Sequence, residues 1–182
     1  MRARLLITLL VATAWLGGCQ SWLVPQARPL APPLGSDHNL QHRLRIERDD
    51  RALNLHAVLA STPGDTRVVA MTETGVPVFQ LHQTTQGLET QQSALMPEAV
   101  PMSLILADIQ LVFWPAAALR DALPPPWTLR REPHGRALYK GDRLEARVRY
   151  RHRDGWHGPA TLDNLHHGYR LTITPLQSEG TE

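Results

Sequence analysis

The clearest order along the chain is a period of two. Leu40, His42, Leu44 and Ile46 alternate with Gln41, Arg43, Arg45 and Glu47; Leu53, Leu55, Ala57 and Leu59 alternate with Asn54, His56 and Val58. Alternation of this kind predicts β-strands with one face buried and one wet. Asp49-Asp50 and Pro63-Gly64-Asp65 supply turns between them. Residues 66–72 and 76–82 continue an antiparallel meander, with Pro77 marking an edge position or a bulge, and residues 86–92 read as a weak polar strand.

The period then changes. From Met102 to Trp114 apolar residues are dense and do not alternate: Leu104, Ile105, Leu106, Ile109, Leu111, Val112, Phe113, Trp114. This predicts a helix that is apolar around most of its circumference and therefore buried, with Ser103 as N-cap. It is too short, and too interrupted by Asp108 and Gln110, to span a membrane. Pro115 opens a second helix, Ala116 to Leu123, which Pro124-Pro125-Pro126 stops. Strands return at Trp127 to Arg131, Arg136 to Lys140 and Asp142 to Arg151. In the last of these Leu144, Ala146, Val148 and Tyr150 face one way, and Arg143, Glu145, Arg147, Arg149 and Arg151 the other. Asp154-Gly155 is a hairpin signal. Ala160 to Leu165 and Tyr169 to Thr174 close the sheet, with Tyr169, Leu171 and Ile173 on one face. The predicted class is mainly β (α+β): a curved antiparallel half-barrel sheet wrapping a helical insert at about 102–123, because a sheet with one apolar face must cover it.

Ahead of this domain stand features of a different kind. Arg2 and Arg4 precede an apolar run, Leu5 to Trp15, of signal-peptide length. Leu16-Gly17-Gly18-Cys19 resembles the bacterial lipobox, and Cys19 is the sole cysteine. The resemblance implies cleavage before Cys19, a diacylglycerol on its thiol and acylation of the new amine; several acyl chains anchor stably where one does not. The other reading is an ordinary secretory signal with an incidental cysteine. In enterobacterial lipoproteins aspartate after the cysteine tends to retain the protein in the inner membrane. Gln20 therefore favours, by analogy, an outer-membrane lipoprotein facing the periplasm. The expected organisation is a signal peptide at 1–18, a lipidated Cys19 with a proline-rich tether at 19–37, a β-rich domain at 38–176 and a loose tail at 177–182.

Removing residues 1–18 leaves 164 of the 182 residues, one domain's worth of chain. It also removes Arg2 and Arg4, which account for the formal charge of +2, so the mature domain is near neutral and nucleic acid is not an expected partner. With Cys19 committed to lipid, no disulfide forms within the chain and stability must come from packing.

Three segments carry a further resemblance: Ala107-Asp108-Ile109-Gln110-Leu111-Val112-Phe113-Trp114-Pro115, Leu144-Glu145-Ala146-Arg147-Val148-Arg149-Tyr150, and Leu162-Asp163-Asn164-Leu165-His166-His167-Gly168-Tyr169-Arg170-Leu171-Thr172-Ile173. Together they resemble an uncharacterised family of proteobacterial lipoproteins often encoded in aryl-polyene pigment clusters, over about residues 38–175. That family looks like a relative of the LolA and LolB lipoprotein-localisation factors. The resemblance implies a half-open β-barrel capped by helices, with a hydrophobic cavity for acyl chains. It supplies no catalytic or binding residues to carry over.

No enzyme chemistry is expected: G-x-S-x-G is absent, and the serines lack a nearby histidine–carboxylate pattern. No metal or cofactor is expected either, since H-E-x-x-H is absent and adjacent His166 and His167 would point to opposite faces of a strand. The arginine row at 143, 147, 149 and 151 reads as a solvated strand face, or as a basic surface for anionic headgroups or an acidic partner. Trp114 and Trp127 are core packing, or the mouth of a cavity. The candidate apolar pocket comprises Leu104, Ile105, Ile109, Val112, Phe113, Trp114, Trp127, Leu144, Val148, Tyr150, Leu171 and Ile173; the same surface suits a filled core. Two non-enzymatic functions follow, ahead of a third reading as an enzyme acting on envelope lipid or glycan. One is an outer-membrane-anchored acceptor of a lipid, a lipoprotein acyl chain or a polyene lipid, working with a LolA-like carrier. The other is a scaffold lipoprotein of an envelope biosynthesis or export complex that binds no ligand.

Overall fold

The computed structural model describes residues 28–96, 101–152, 155–156 and 158–176. The expected signal peptide at 1–18, Cys19, the first part of the expected tether, Asp154 of the expected hairpin turn and the expected tail at 177–182 lie outside the described residues. Five strands come first: β1 (His38–Arg48), β2 (Arg51–Thr62), β3 (Asp65–Met71), β4 (Pro77–Thr84) and β5 (Gly87–Gln92). Two helices follow, α1 (Met102–Phe113) and α2 (Ala116–Ala122). Then come β6 (Trp127–Glu132), β7 (Gly135–Lys140), β8 (Arg143–Tyr150), β9 (Ala160–Asn164) and β10 (Tyr169–Pro175).

All strand pairs are antiparallel, in the order β5-β4-β3-β2-β1-β10-β9-β8-β7-β6. Among the described residues the sheet does not close. Its first and last strands pair in the middle, Leu44 opposite Ile173, and its edges are β5 and β6. The two helices are the connection between those edges. Residues from β4 (Val78, Phe79, Leu81), β7 (Leu138) and β9 (Leu162) share one apolar core with α1. Ten strands laid flat would be about 43 Å wide, whereas a helix with its side chains is about 10 Å across. Both halves reach one core because the sheet curls around α1.

The alternation read from the sequence matches the burial of β2, where Leu55, Ala57, Leu59 and Ser61 point inward, and of β10, where Leu171 and Ile173 do. Pro77 stands at a register shift opposite Ala70 and Met71, within the sheet rather than at its edge. Three expectations need correction. Pro101, not Ser103, is the N-cap of α1, and no side chain caps it. In β8 a bulge interrupts the alternation: Leu138 faces Ala146 while Tyr139 faces Leu144, so Glu145 is the extra residue. Glu145 is consequently buried, and Leu144 is left outside the core. Residues 28–36, expected within the tether, lie against the domain through Ala31 and Leu34, which are buried.

One glycine is required by packing: a Cβ on Gly135 would stand 1.9 Å from the Val148 carbonyl oxygen, so β7 and β8 approach only without a side chain there.

Candidate functional site

Helix α1 carries two buried polar side chains, Asp108 and Gln110, roughly 200° apart around its axis. A buried polar group must be hydrogen-bonded, so each defines a contact that the sheet has to meet. The Ala31 N–H donates to Gln110 Oε1 (2.8 Å), and Gln110 Nε2 donates to the Ala31 carbonyl (2.8 Å) and to Gln83 Oε1 (2.9 Å). Gln83, on β4, donates in turn to the Ala31 carbonyl (2.8 Å). On the other side Asp108 accepts from Arg28, from Asn164 Nδ2 on β9 (2.9 Å) and from the Tyr169 hydroxyl on β10. Burial, and then the Asp108 charge, push the Tyr169 phenol far above its ordinary pKa of 10.0, so it stays a donor.

The last carbonyls of a helix have no partner within it. Here Arg136 on β7 donates to Trp114 O (2.7 Å) and Val112 O (3.4 Å), and the Tyr150 hydroxyl on β8 donates to Val112 O (2.8 Å). A guanidinium at that end also complements the helix dipole. The Trp114 indole donates to the Pro32 carbonyl (2.7 Å). The strap from Arg28 to Pro32 thus runs along α1, and a handful of side chains fasten the helix to both halves of the sheet.

Most of the sequence-predicted pocket residues meet, and they meet as a packed interior. Val112 and Val148 expose nothing at all, and Trp114 and Ile173 expose 1% each. Ile109, Phe113, Trp127 and Leu171 are buried as well, while Ile105 and Tyr150 are half-buried against the same core. With no accessible surface on Val112, Val148 or Leu162, no water-sized space touches them. Two predicted residues stand apart: Leu144 is turned away by the bulge, and half-buried Leu104 lines a separate cavity. Cys19 lies outside the described residues.

That cavity, of about 330 Å³, opens beside the N-terminus of α1, between Arg28, Leu104, Trp127, Glu145 and the His166–His167 pair. The two imidazoles sit in the turn between β9 and β10, edge to face at 4.6 Å, rather than on opposite faces of a strand. A larger groove of about 1170 Å³ lies between α2 and the β6–β7 hairpin, lined by Arg120, Arg130, Arg131, Arg136 and Arg151 with Glu132. The arginine row of β8 is laced with carboxylates: Arg143 to Glu145 (2.6 Å), Arg147 to Glu132 (3.1 Å) and Arg149 to Asp163 (2.6 Å). Arg151, the last member of the row read from the sequence, instead lines the groove, where five arginines stand with Glu132.

Arg28, Gln83, Asp108, Gln110, Arg136 and Asn164 were not singled out as site residues from the sequence. The available signal was Asp108 and Gln110 inside an otherwise apolar helix, where each requires a partner. A family model described as "Protein of unknown function (DUF3261)" matches residues 39–177. No curated protein matches the chain significantly.

Proposed function

The chain belongs to the DUF3261 family of proteins of unknown function, and we propose that this member is an envelope lipoprotein that accepts an acyl chain. The anchor would be Cys19, the membrane the outer one, and the donor a carrier of the LolA kind, with a distant kinship to LolB. The observation that carries this reading is the unclosed sheet whose apolar face is covered by a helix connecting its two edges. The helix is fastened mainly through side chains of Gln83, Arg136, Tyr150, Asn164 and Tyr169. Such contacts exchange for water without unravelling a strand. A chain of methylenes entering as α1 moves aside would gain about 0.8 kcal/mol for each group buried, against the apolar surface that the helix gives up.

The second reading, a scaffold lipoprotein without ligand, has its own support: the core between sheet and helix is filled at Val112, Val148 and Leu162. Its contact surface would be the arginine-rich groove beside α2.

A photoactivatable fatty acid separates the two. Incubated with the full-length protein and irradiated, it is expected to label Val148, Leu162 or Ile173 on the inward sheet face, and native mass spectra should carry one lipid adduct. Labelling confined to the outer surface, with no adduct, would sink the acceptor reading and favour the scaffold.

A further inference from the structure

Two of the side chains that line the cavity beside the N-terminus of α1 carry a buried donor without an acceptor. The Arg28 side chain is 7% exposed; it serves Asp108 and the Leu104 carbonyl through Nη2, while its Nε has no partner. Trp127 is 8% exposed, and its indole Nε1 has no partner either. Both side chains line the same cavity of about 330 Å³. Buried donors left unmade are uncommon, and two on one small cavity point to an absent acceptor. Guanidinium and indole N–H groups only donate, so a group that meets them there must accept.

The third wall agrees. Helix α1 begins at Pro101 with no side-chain cap and no acidic residue in its first turn, and a helix N-terminus favours an anion. Glu145, the carboxylate lining this cavity, is already engaged: Arg143 holds it at 2.6 Å and His166 Nδ1 stands 3.7 Å away. Asp108 lies behind Arg28 and is taken by Arg28, Asn164 and Tyr169. Arg143 adds positive charge at the rim. The volume is at the small end for a ligand pocket, enough for a head and too small for a long chain. Leu104, half-buried on the cavity wall, belongs to the same helix that covers the apolar sheet face.

We propose that this cavity binds a carboxylate or phosphate through Arg28 Nε, Trp127 Nε1 and the amino end of α1, as the head of an acyl amphiphile. The amphiphile rests on the acceptor reading above; the anion site itself does not. A carboxylate head placed there sets the chain beside Leu104, at the end of α1 where displacement would begin.

The test uses the full-length protein in zwitterionic phosphatidylcholine nanodiscs, with ¹⁵N-labelled indoles. Trp127→Phe, which keeps the ring and its packing, assigns the Trp127 resonance by its loss. Dodecanoate is expected to move that resonance, and methyl dodecanoate, which has no charge, to leave it in place. Arg28→Lys, which keeps a cation for Asp108 but lacks Nε–H, should weaken dodecanoate binding at least tenfold. The other indole resonances report that each variant stays folded. Inorganic phosphate moving the Trp127 signal as readily as dodecanoate would support the site with a free anion as its source. No movement with either anion, or equal movement with the methyl ester, would overturn it. Lipid adducts in native mass spectra without a shift at Trp127 would overturn the head site and leave the acceptor reading standing. A shift with phosphate and no lipid adduct would do the reverse.

Discussion

His42 is the residue at which burial and charge conflict most plainly. It points inward from β1 with 3% of its surface exposed, its ring 5.1 Å from that of Phe113, and its Nε2 has no hydrogen-bond partner. Burial lowers its pKa from 6.5 to about 4, so the folded protein holds it neutral. As pH falls through 6.5 the unfolded chain takes up a proton that the fold refuses. Stability is therefore complete above that pH and is lost progressively on the way down to about 4. At its full extent the loss is about 3 kcal/mol. Asp65, held low by its hydrogen bond from His82, titrates in a different window. So does Asp163, where bonds from Arg170 and Arg149 outweigh the effect of burial. Both lose their contribution only below the ordinary carboxylate value of 3.8. Urea midpoints measured from pH 7.5 to 3 should thus fall in two stages. In His42→Leu the upper stage should flatten while the lower one remains; an unchanged upper stage would place the acid sensitivity elsewhere.

At the scale of elements, Gln110 joins three pieces that are distant in sequence: the strap at Ala31, β4 through Gln83, and α1 itself. Replacing it with leucine keeps much of the volume but leaves the Ala31 N–H and Gln83 Oε1 without those partners. Each buried orphan costs about 1–3 kcal/mol, so Gln110→Leu should destabilise by about 3 kcal/mol. The Ala31 amide, protected in the parent protein, should then exchange with solvent far faster. A variant as stable as the parent would show that the strap contributes little. The same residues show what could be read in advance. Alternation located β2 and β10 because an antiparallel strand wet on one face writes its geometry directly into the sequence. It failed at Leu144 because a bulge inserts one residue, Glu145, and reverses which side chain faces the core. The strap was missed for another reason. Pro29, Pro32 and Pro33 do keep the chain from folding locally, yet an extended segment can still dock when a helix offers it Gln110 and Asp108. Periodicity carries no record of such long-range pairing.

For the molecule as a whole, the decisive property is how the sheet is left open. β1 and β10 pair in its middle, so the ends of the domain are locked together, and the unpaired edges β5 and β6 are the ones that the helices connect. Displacing α1 therefore breaks side-chain contacts and exposes core, but need not break a strand pair. Regions of this kind open below the free energy of global unfolding. Hydrogen exchange should then show α1 and α2 opening before β1, β2 and β10. Nine residues of α1 are buried, so without a ligand the opening should be rare. On the proposed acceptor reading, an acyl chain taking the place of the helix would remove much of that penalty. Dodecanoate is accordingly expected to speed exchange across Met102–Phe113 while leaving the central strands as slow as before. A ligand that merely bound and rigidified the outside would slow exchange in the helix instead. Exchange in α1 as slow as in β2, and indifferent to dodecanoate, would mean that the helix is permanent core. The sheet would then be a closed support, and function would have to lie on its surface, with the arginine groove beside α2 the place to look.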